Sequence, residues 1–292
     1  MNTLVQSPIW TTLVSAEALS AALGRDDMVV LDARFALADP TLGERDYATA
    51  HIPGARYANL DRDLSDLTRV GHGRHPLPSA EALCATLSRW GIDADTQVVA
   101  YDARDGALAA ARVWCLLRLL GHARVAVLDG GLAHWRELGL PLTDAVTPLA
   151  TPTHYRADYD ASRLIDTDAL RDLRSDGALR LIDARAGERF RGEVEPIDKA
   201  AGHVPGAVNR PYAENLRDDG TFRSAHELAT GFRALIDDRP IENVAVMCGS
   251  GVTACHHLLA MEHAGLFGAR LYADSWSGWI TDPSRPITTG AV

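Results

Sequence analysis

The sequence predicts an α/β fold built as two tandem domains, each a parallel β-sheet flanked by helices. Three observations carry this. The chain has 292 residues, room for two domains of ordinary size. Short apolar runs of strand length alternate with helical stretches, the pattern of βα units whose right-handed crossovers build a parallel sheet. One series of landmarks also occurs twice. MVVLDAR (28–34), HIPGA (51–55), VVAYDARDG (98–106) and VLDGGLAHW (127–135) return in the same order as LRLIDAR (179–185), HVPGA (203–207), VAVMCGSG (244–251) and LYADSWSGW (271–279). The offsets are close: 151 from Asp32 to Asp183, 152 from His51 to His203, 146 from Asp102 to Cys248 and 144 from Trp135 to Trp279. Four landmarks in order mark a duplicated domain.

The first copy is assigned to residues 1–140 and the second to 161–292. Between them, PLTDAVTPLATPTHYRADYD (141–160) is rich in Pro and Thr, lacks a period and reads as a linker. In the first copy SAEALSAAL (15–23) is a helix with Ser15 as N-cap, and MVVLDA is a buried parallel strand. SAEALCATLSRWG (79–91) is a helix with a Ser cap and a Gly stop, QVVAYD (97–102) a strand, ALAAARVWCLLRLLG (107–121) a helix and RVAVLDGG (124–131) a strand. The second copy repeats this with helices at 166–174, 224–236 and 252–265, and strands at 179–185, 243–248 and 269–275.

Composition narrows the function classes. Hydrophobic residues make up 47% and charged residues 23%, the mix of a globular protein. The formal net charge is -10 with no Lys/Arg block, which argues against nucleic acid as a partner. No apolar run approaches ~18 residues and no basic segment leads into an apolar one at the N-terminus, so neither a membrane span nor a secretory signal is expected. The four cysteines (Cys84, Cys115, Cys248, Cys255) show no CxxC or zinc spacing. A cytoplasm with reduced thiols fits this usage and leaves a reactive cysteine free.

Cys248 stands at the carboxyl end of the strand VAVMC, where ligands bind in open parallel sheets. Gly249, Ser250, Gly251, Val252 and Thr253 follow, and then a helix. Two glycines in so short a loop allow tight curvature, with successive backbone N–H groups turned inward. The helix N-terminus adds its positive end. Lowering a thiol pKa by one unit takes about 1.4 kcal/mol, and a helix terminus supplies only ~0.3–1. Strong activation at such a position therefore requires direct N–H bonds to the sulfur as well. A loop of this shape also suits a persulfide, whose outer sulfur carries charge.

CGSGVTAC (248–255) resembles the active-site loop of mercaptopyruvate-type sulfurtransferases, and DAR, H[IV]PGA and YADSWSGW resemble the tandem rhodanese pattern, over residues 10 to 288. The resemblance implies that each copy is a rhodanese-like domain and that Cys248 is the nucleophile. The matching position in the first copy is Asp102, which cannot form a persulfide. That copy should be inert and should form one wall of an interdomain cleft. By the same resemblance Ser250 lines the site, Arg189 in ERFRGEVEP binds an anionic donor, and Asp66 and His75 in DLTRVGHGRHPLP are sent toward the site from the first copy. A second arginine usual in the mercaptopyruvate type is replaced by Ile197, with Lys199 nearby, and Arg74 is a candidate to take its place. Thr253 reads as structural, Cys255 as buried and inert, and Asp183 and His203 as loop anchors, since Asp32 and His51 repeat them. Trp276 reads as core packing or cleft lining.

The implied reaction is a two-step displacement. Cys248 takes the outer sulfur of a small anionic donor, and a thiol, cyanide or thioredoxin-like acceptor then removes it. No cofactor or metal is implied. The Gly-Ser-Gly loop favours 3-mercaptopyruvate and the missing arginine favours thiosulfate, so the donor stays open. The related Cys-x5-Arg phosphatases need an arginine six residues after the cysteine, where this chain has Ala254. A persulfide carrier or binding module without turnover is the other class the loop allows.

Overall fold

A computed structural model describes residues 8–175 and 177–291. The first copy runs β1 (Leu13–Val14), α1 (Ala16–Ala22), β2 (Met28–Asp32), α2 (Leu42–Thr49), β3 (Arg56–Tyr57), α3 (Ala80–Arg89), β4 (Gln97–Tyr101), α4 (Ala110–Leu119), β5 (Val125–Leu128) and α5 (Gly131–Glu137). The second runs α6 (Thr167–Ser175), β6 (Arg180–Asp183), α7 (Gly187–Arg191), β7 (Val208–Asn209), α8 (Ala225–Ile236), β8 (Val244–Met247), α9 (Ala254–His263), β9 (Arg270–Leu271) and α10 (Ser275–Trp279). All named pairings are parallel, in the orders β1-β5-β4-β2-β3 and β7-β6-β8-β9. Central strands β4 and β8 are buried throughout, as a mainly apolar run covered on both faces requires.

The landmarks recur as the same contacts. Arg34 pairs with Asp32 at 2.7 Å and Arg185 with Asp183 at 2.6 Å, both pairs buried at the end of a strand. His51 Nδ1 lies 2.7 Å from Tyr47 O, and His203 Nδ1 lies 2.8 Å from Phe190 O. These contacts tie each loop to its sheet, so the repeated Asp and His are architectural.

Sequence and structure part at several places, among them the strand expected over 124–131, which ends at Leu128 before α5 opens at Gly131. The helix expected from residue 107 starts at Ala110, because residues 102–110 are drawn around the Asp102 carboxylate. The strand expected over 269–275 ends at Leu271, and Ser275, with φ of 53°, opens α10 instead. The short helices α2 (LGERDYAT) and α7 (GERFR) lie outside the expected elements, because both are largely polar and neither has a side-chain N-cap. Ser15 does cap its helix, accepting a hydrogen bond from Ala18 N.

The two copies share one apolar cluster that includes Leu116, Leu117, Leu258 and Leu259 from α4 and α9. At its edge Glu262 accepts from Arg118 at 3.0 Å and pairs with Arg163. The helix that follows the Cys248 loop is thereby packed against the first copy, and the loop sits at the domain boundary. Among the described residues, no helix is long and apolar enough to cross a membrane.

Candidate active site

Strand β8 delivers Cys248 to the floor of a cavity of about 250 Å³ between the domains, with the residue only 3% exposed. The loop is held from behind by α10. Cys248 N donates to Ser275 Oγ at 3.1 Å, while Trp276 N and Ser277 N donate to the carbonyls of Cys248 and Gly249 at 3.0 and 2.8 Å. Gly251 has φ of 75°, and a Cβ there would meet Ala273 O at 2.2 Å. Only glycine fits that approach.

The first copy shows what such a loop holds. Asp102, in the place of Cys248, takes N–H bonds from Arg104 at 3.1 Å, Gly106 at 3.0 Å, Leu108 at 3.1 Å, Ala109 at 3.3 Å and Ala110 at 3.5 Å. Five backbone donors converge on one anion, which is the behaviour expected of a nest at a helix N-terminus.

Seven further expected residues line the cavity with Cys248: Gly249, Ser250, Val252, Thr253, Arg74, His75 and Arg189. Gly251 supports the loop without lining it. Two of the seven arrive from the first copy on a loop seated against α10, where Arg74 N donates to Ser277 Oγ at 3.1 Å. A Cβ at Gly73 would strike Asp274 O at 2.7 Å. His75 Nδ1 lies 2.8 Å from Ser250 Oγ, joining the domains at the cavity. Burial foremost, then the charges of Arg112 and Arg74, push the His75 pKa down to about 3, so the ring is neutral near pH 7.

Asp66 does not belong to this set. Its carboxylate turns back to Thr68, accepting from Oγ1 at 2.6 Å and from N at 3.1 Å, along a separate shallow groove. Asp61 takes the expected place, with Oδ1 at 3.5 Å from His75 Nε2. The stretch from Asp61 to Asp66 holds three aspartates, and spacing alone does not tell which one a turn will aim at the histidine.

Arg189 is gripped by Glu195, Nη2 to Oε1 at 2.7 Å and Nε to Oε2 at 3.2 Å, and also reaches Asp198 at 3.1 Å. Arg74 pairs with the other oxygen of Asp198. Two guanidiniums from different domains thus flank Gly249, where an added Cβ would lie 3.0 Å from Arg74 Nη2 and 3.7 Å from Arg189 Nη1. Ile197 lines the mouth. Glu195 and Asp198 escaped the sequence reading, although both flank the Ile197 position it singled out.

Trp276 is fully buried under the Arg185 guanidinium at 4.7 Å, so it packs the core. Cys255 is fully buried, its Sγ 3.3 Å from Gly251 O, and burial drives its pKa well above the usual thiol range. All four cysteines are free thiols. Among the described residues no cluster of three or more His, Cys, Asp or Glu is arranged to hold a metal ion.

A buried cysteine at a strand end, in a loop whose first-copy twin holds a carboxylate and beside two arginines, fits a thiol-based group-transfer protein of the α/β class. Comparison with known proteins makes the class specific. The family described as Rhodanese-like domain matches residues 15–138 and again 166–282, and the chain belongs to that family. Two bacterial relatives are provisionally named. A 3-mercaptopyruvate sulfurtransferase of Pseudomonas aeruginosa is 50% identical over 280 residues, covering 95% of this chain and 98% of that one. The thiosulfate sulfurtransferase SseB of Mycobacterium tuberculosis is 42% identical over 286 residues, covering 96% and 98%. The solved 3-mercaptopyruvate sulfurtransferase from Leishmania major superposes with a TM-score of 0.82 at 28% identity, over 94% of this chain and 76% of that one. The protein is a tandem-domain sulfurtransferase that moves sulfur from a donor to an acceptor.

Proposed function

We propose that the protein transfers sulfur from 3-mercaptopyruvate through a persulfide on Cys248, and that Ser250 and His75 move the proton this donor requires. The contact that carries the reading is the 2.8 Å approach of Ser250 Oγ to His75 Nδ1. The Cys248 thiolate attacks the donor sulfur. The S–S bond forms, the C–S bond breaks, and the bonding electrons enter the ketone as the pyruvate enolate. The sulfur arrives as a thiol and ends as a persulfide anion, while the enolate carbon needs a proton to become pyruvate. Ser250 can hand on that proton, because a neutral His75 with its N–H on the Nε2 side accepts from the hydroxyl through Nδ1. Asp61 beside Nε2 favours that tautomer. Arg74 and Arg189 hold the donor carboxylate by charge-assisted bonds, Arg74 taking the role left open at Ile197, and Gly249 gives them room. Gly251, Val252 and Thr253 shape the loop.

A thiol, cyanide or thioredoxin-like acceptor removes the outer sulfur and regenerates the thiolate. The first copy (1–140) is inert and joined to the second (161–292) by residues 141–160. Its Asp102 offers no transferable sulfur. Four free thiols favour a reducing, cytoplasmic setting. Thiosulfate is the second reading, supported by the match between its double charge and the two arginines. Sulfite leaves already as an anion and needs no proton, so that donor makes no use of the Ser250–His75 pair. Steady-state turnover with each donor, cyanide as acceptor and Cys248→Ser as control, tests the reading. A mercaptopyruvate preference lost in the variant is expected. A thiosulfate preference selects the second reading, and release of one equivalent of product without turnover makes the protein a carrier.

A further inference from the structure

Arg112, in the first turn of α4, is 0% exposed, and no carboxylate pairs with it among the described residues. Apart from the Cys255 thiol beside it, its partners are main-chain carbonyls. Nη1 donates to Gly251 O at 3.0 Å, and Nη2 donates to His75 O at 3.1 Å, Leu64 O at 3.3 Å and Pro76 O at 3.4 Å. Its Nε has no partner. A buried guanidinium without a carboxylate partner is costly, and packing alone does not call for one among the apolar residues that surround it in α4. Its four acceptors belong to two loops in two different domains: the one that follows Cys248 and the one that presents His75.

We propose that Arg112 is a positioning residue for sulfur transfer, fixing the Cys248 loop and the His75 loop against each other across the domain boundary. The inference rests on the function proposed above. Two consequences follow from geometry. In a trans peptide the carbonyl and the next N–H point in opposite directions. Holding Gly251 O toward Arg112 therefore turns Val252 N–H the other way, away from α4, and the bond to a cation polarises that peptide in the sense that strengthens its N–H as a donor. The first copy shows the use of such a group: Gly106, four residues after Asp102 as Val252 is four after Cys248, donates to the Asp102 carboxylate at 3.0 Å. The second consequence concerns the relay. Arg112 grips the carbonyls of His75 and Pro76, so the 2.8 Å Ser250–His75 contact is set by the same guanidinium, whose charge also helps keep the ring neutral.

The test compares wild type, Arg112→Gln and Arg112→Lys, each checked for cooperative unfolding. Three readouts are used: kcat and KM with mercaptopyruvate, and the rate constant for Cys248 alkylation by iodoacetamide at fixed neutral pH. The expected result for Arg112→Gln is kcat lower by about 30-fold, within the range by which proton-transfer groups act. Alkylation should slow by about tenfold, the scale of one charge-assisted hydrogen bond, and KM should change by less than about twofold. Arg112→Lys keeps the charge but loses the fork, and should recover part of both rates. A folded Arg112→Gln with unchanged kcat and alkylation, or with a raised KM alone, overturns the proposal. If Arg112→Gln does not fold, Arg112→Lys decides: a slower kcat at constant KM supports the clamp, and wild-type rates refute it. Inactivity of the wild type with both donors would refute the function itself, while alkylation still reports on the clamp.

Discussion

Cys248 gains its meaning from neighbours that come from elsewhere in the chain. Its loop was legible because CGSGVTAC is contiguous and its twin, Asp102, shows by contrast what was replaced. Arg74, His75 and Arg189 were found through resemblance, and the structure gathers them at the cavity. Asp61 was not found, since the turn that aims it is set by tertiary packing rather than by spacing. At this scale His75→Asn or Ser250→Ala should lower mercaptopyruvate kcat by about 10²-fold or more and leave thiosulfate turnover within a few fold. Equal losses with both donors would remove the proton role. Asp61→Asn should cost more activity than Asp66→Asn, which should be silent. Arg189→Ala and Arg74→Ala should each raise donor KM by roughly tenfold or more, as the loss of a charged hydrogen bond of about 1.5–3 kcal/mol requires. An unchanged KM in Arg74→Ala would leave the Ile197 position uncompensated.

Among the elements, the long βα units were readable because apolar runs and caps repeat in register, and Ser15, Ser79 and Ser224 all accept from the first turn of their helices. The short α10 was not readable as a helix. ARLYADS (269–275) reads as a strand until the positive φ of Ser275 is known, yet the element that Ser275 opens holds both the Cys248 loop and the Arg74 backbone. The landmark YADSWSGW is thus a bracket for the site rather than part of its chemistry. Gly251→Ala tests the loop directly: the strained φ and the 2.2 Å approach to Ala273 O predict destabilisation of more than about 1 kcal/mol and a marked loss of turnover. Thermal unfolding and a donor assay on the same sample check it, and a variant as stable and active as wild type would show that the loop tolerates a side chain.

Across the whole molecule, the duplication was the most legible feature and the interface the least, because Arg112, Glu262 and Asp198 act between copies that are far apart in sequence. Burial also dictates a pH response. His75 and His257 are pushed down to about 3 and His256 to about 4, burial being the largest cause in each. Their folded pKa values lie below those of the unfolded chain, so below about pH 6.5 the unfolded state binds more protons and stability falls as pH falls. The loss should develop between about pH 6.5 and pH 4 and steepen toward roughly 4 kcal/mol per pH unit once all three side chains are protonated in the unfolded chain alone. Urea midpoints at pH 7.5, 6 and 5 check this, and a flat series would contradict the neutral burial of these rings.

The central claim is that sulfur resides on Cys248 between the two half-reactions. The most direct measurement is peptide mass spectrometry of the protein after one equivalent of mercaptopyruvate, without acceptor. The account predicts a gain of one sulfur atom on the peptide that holds Cys248, reversed by cyanide. Sulfur on Cys84, Cys115 or Cys255 instead, or none on any cysteine while pyruvate is released, would contradict it.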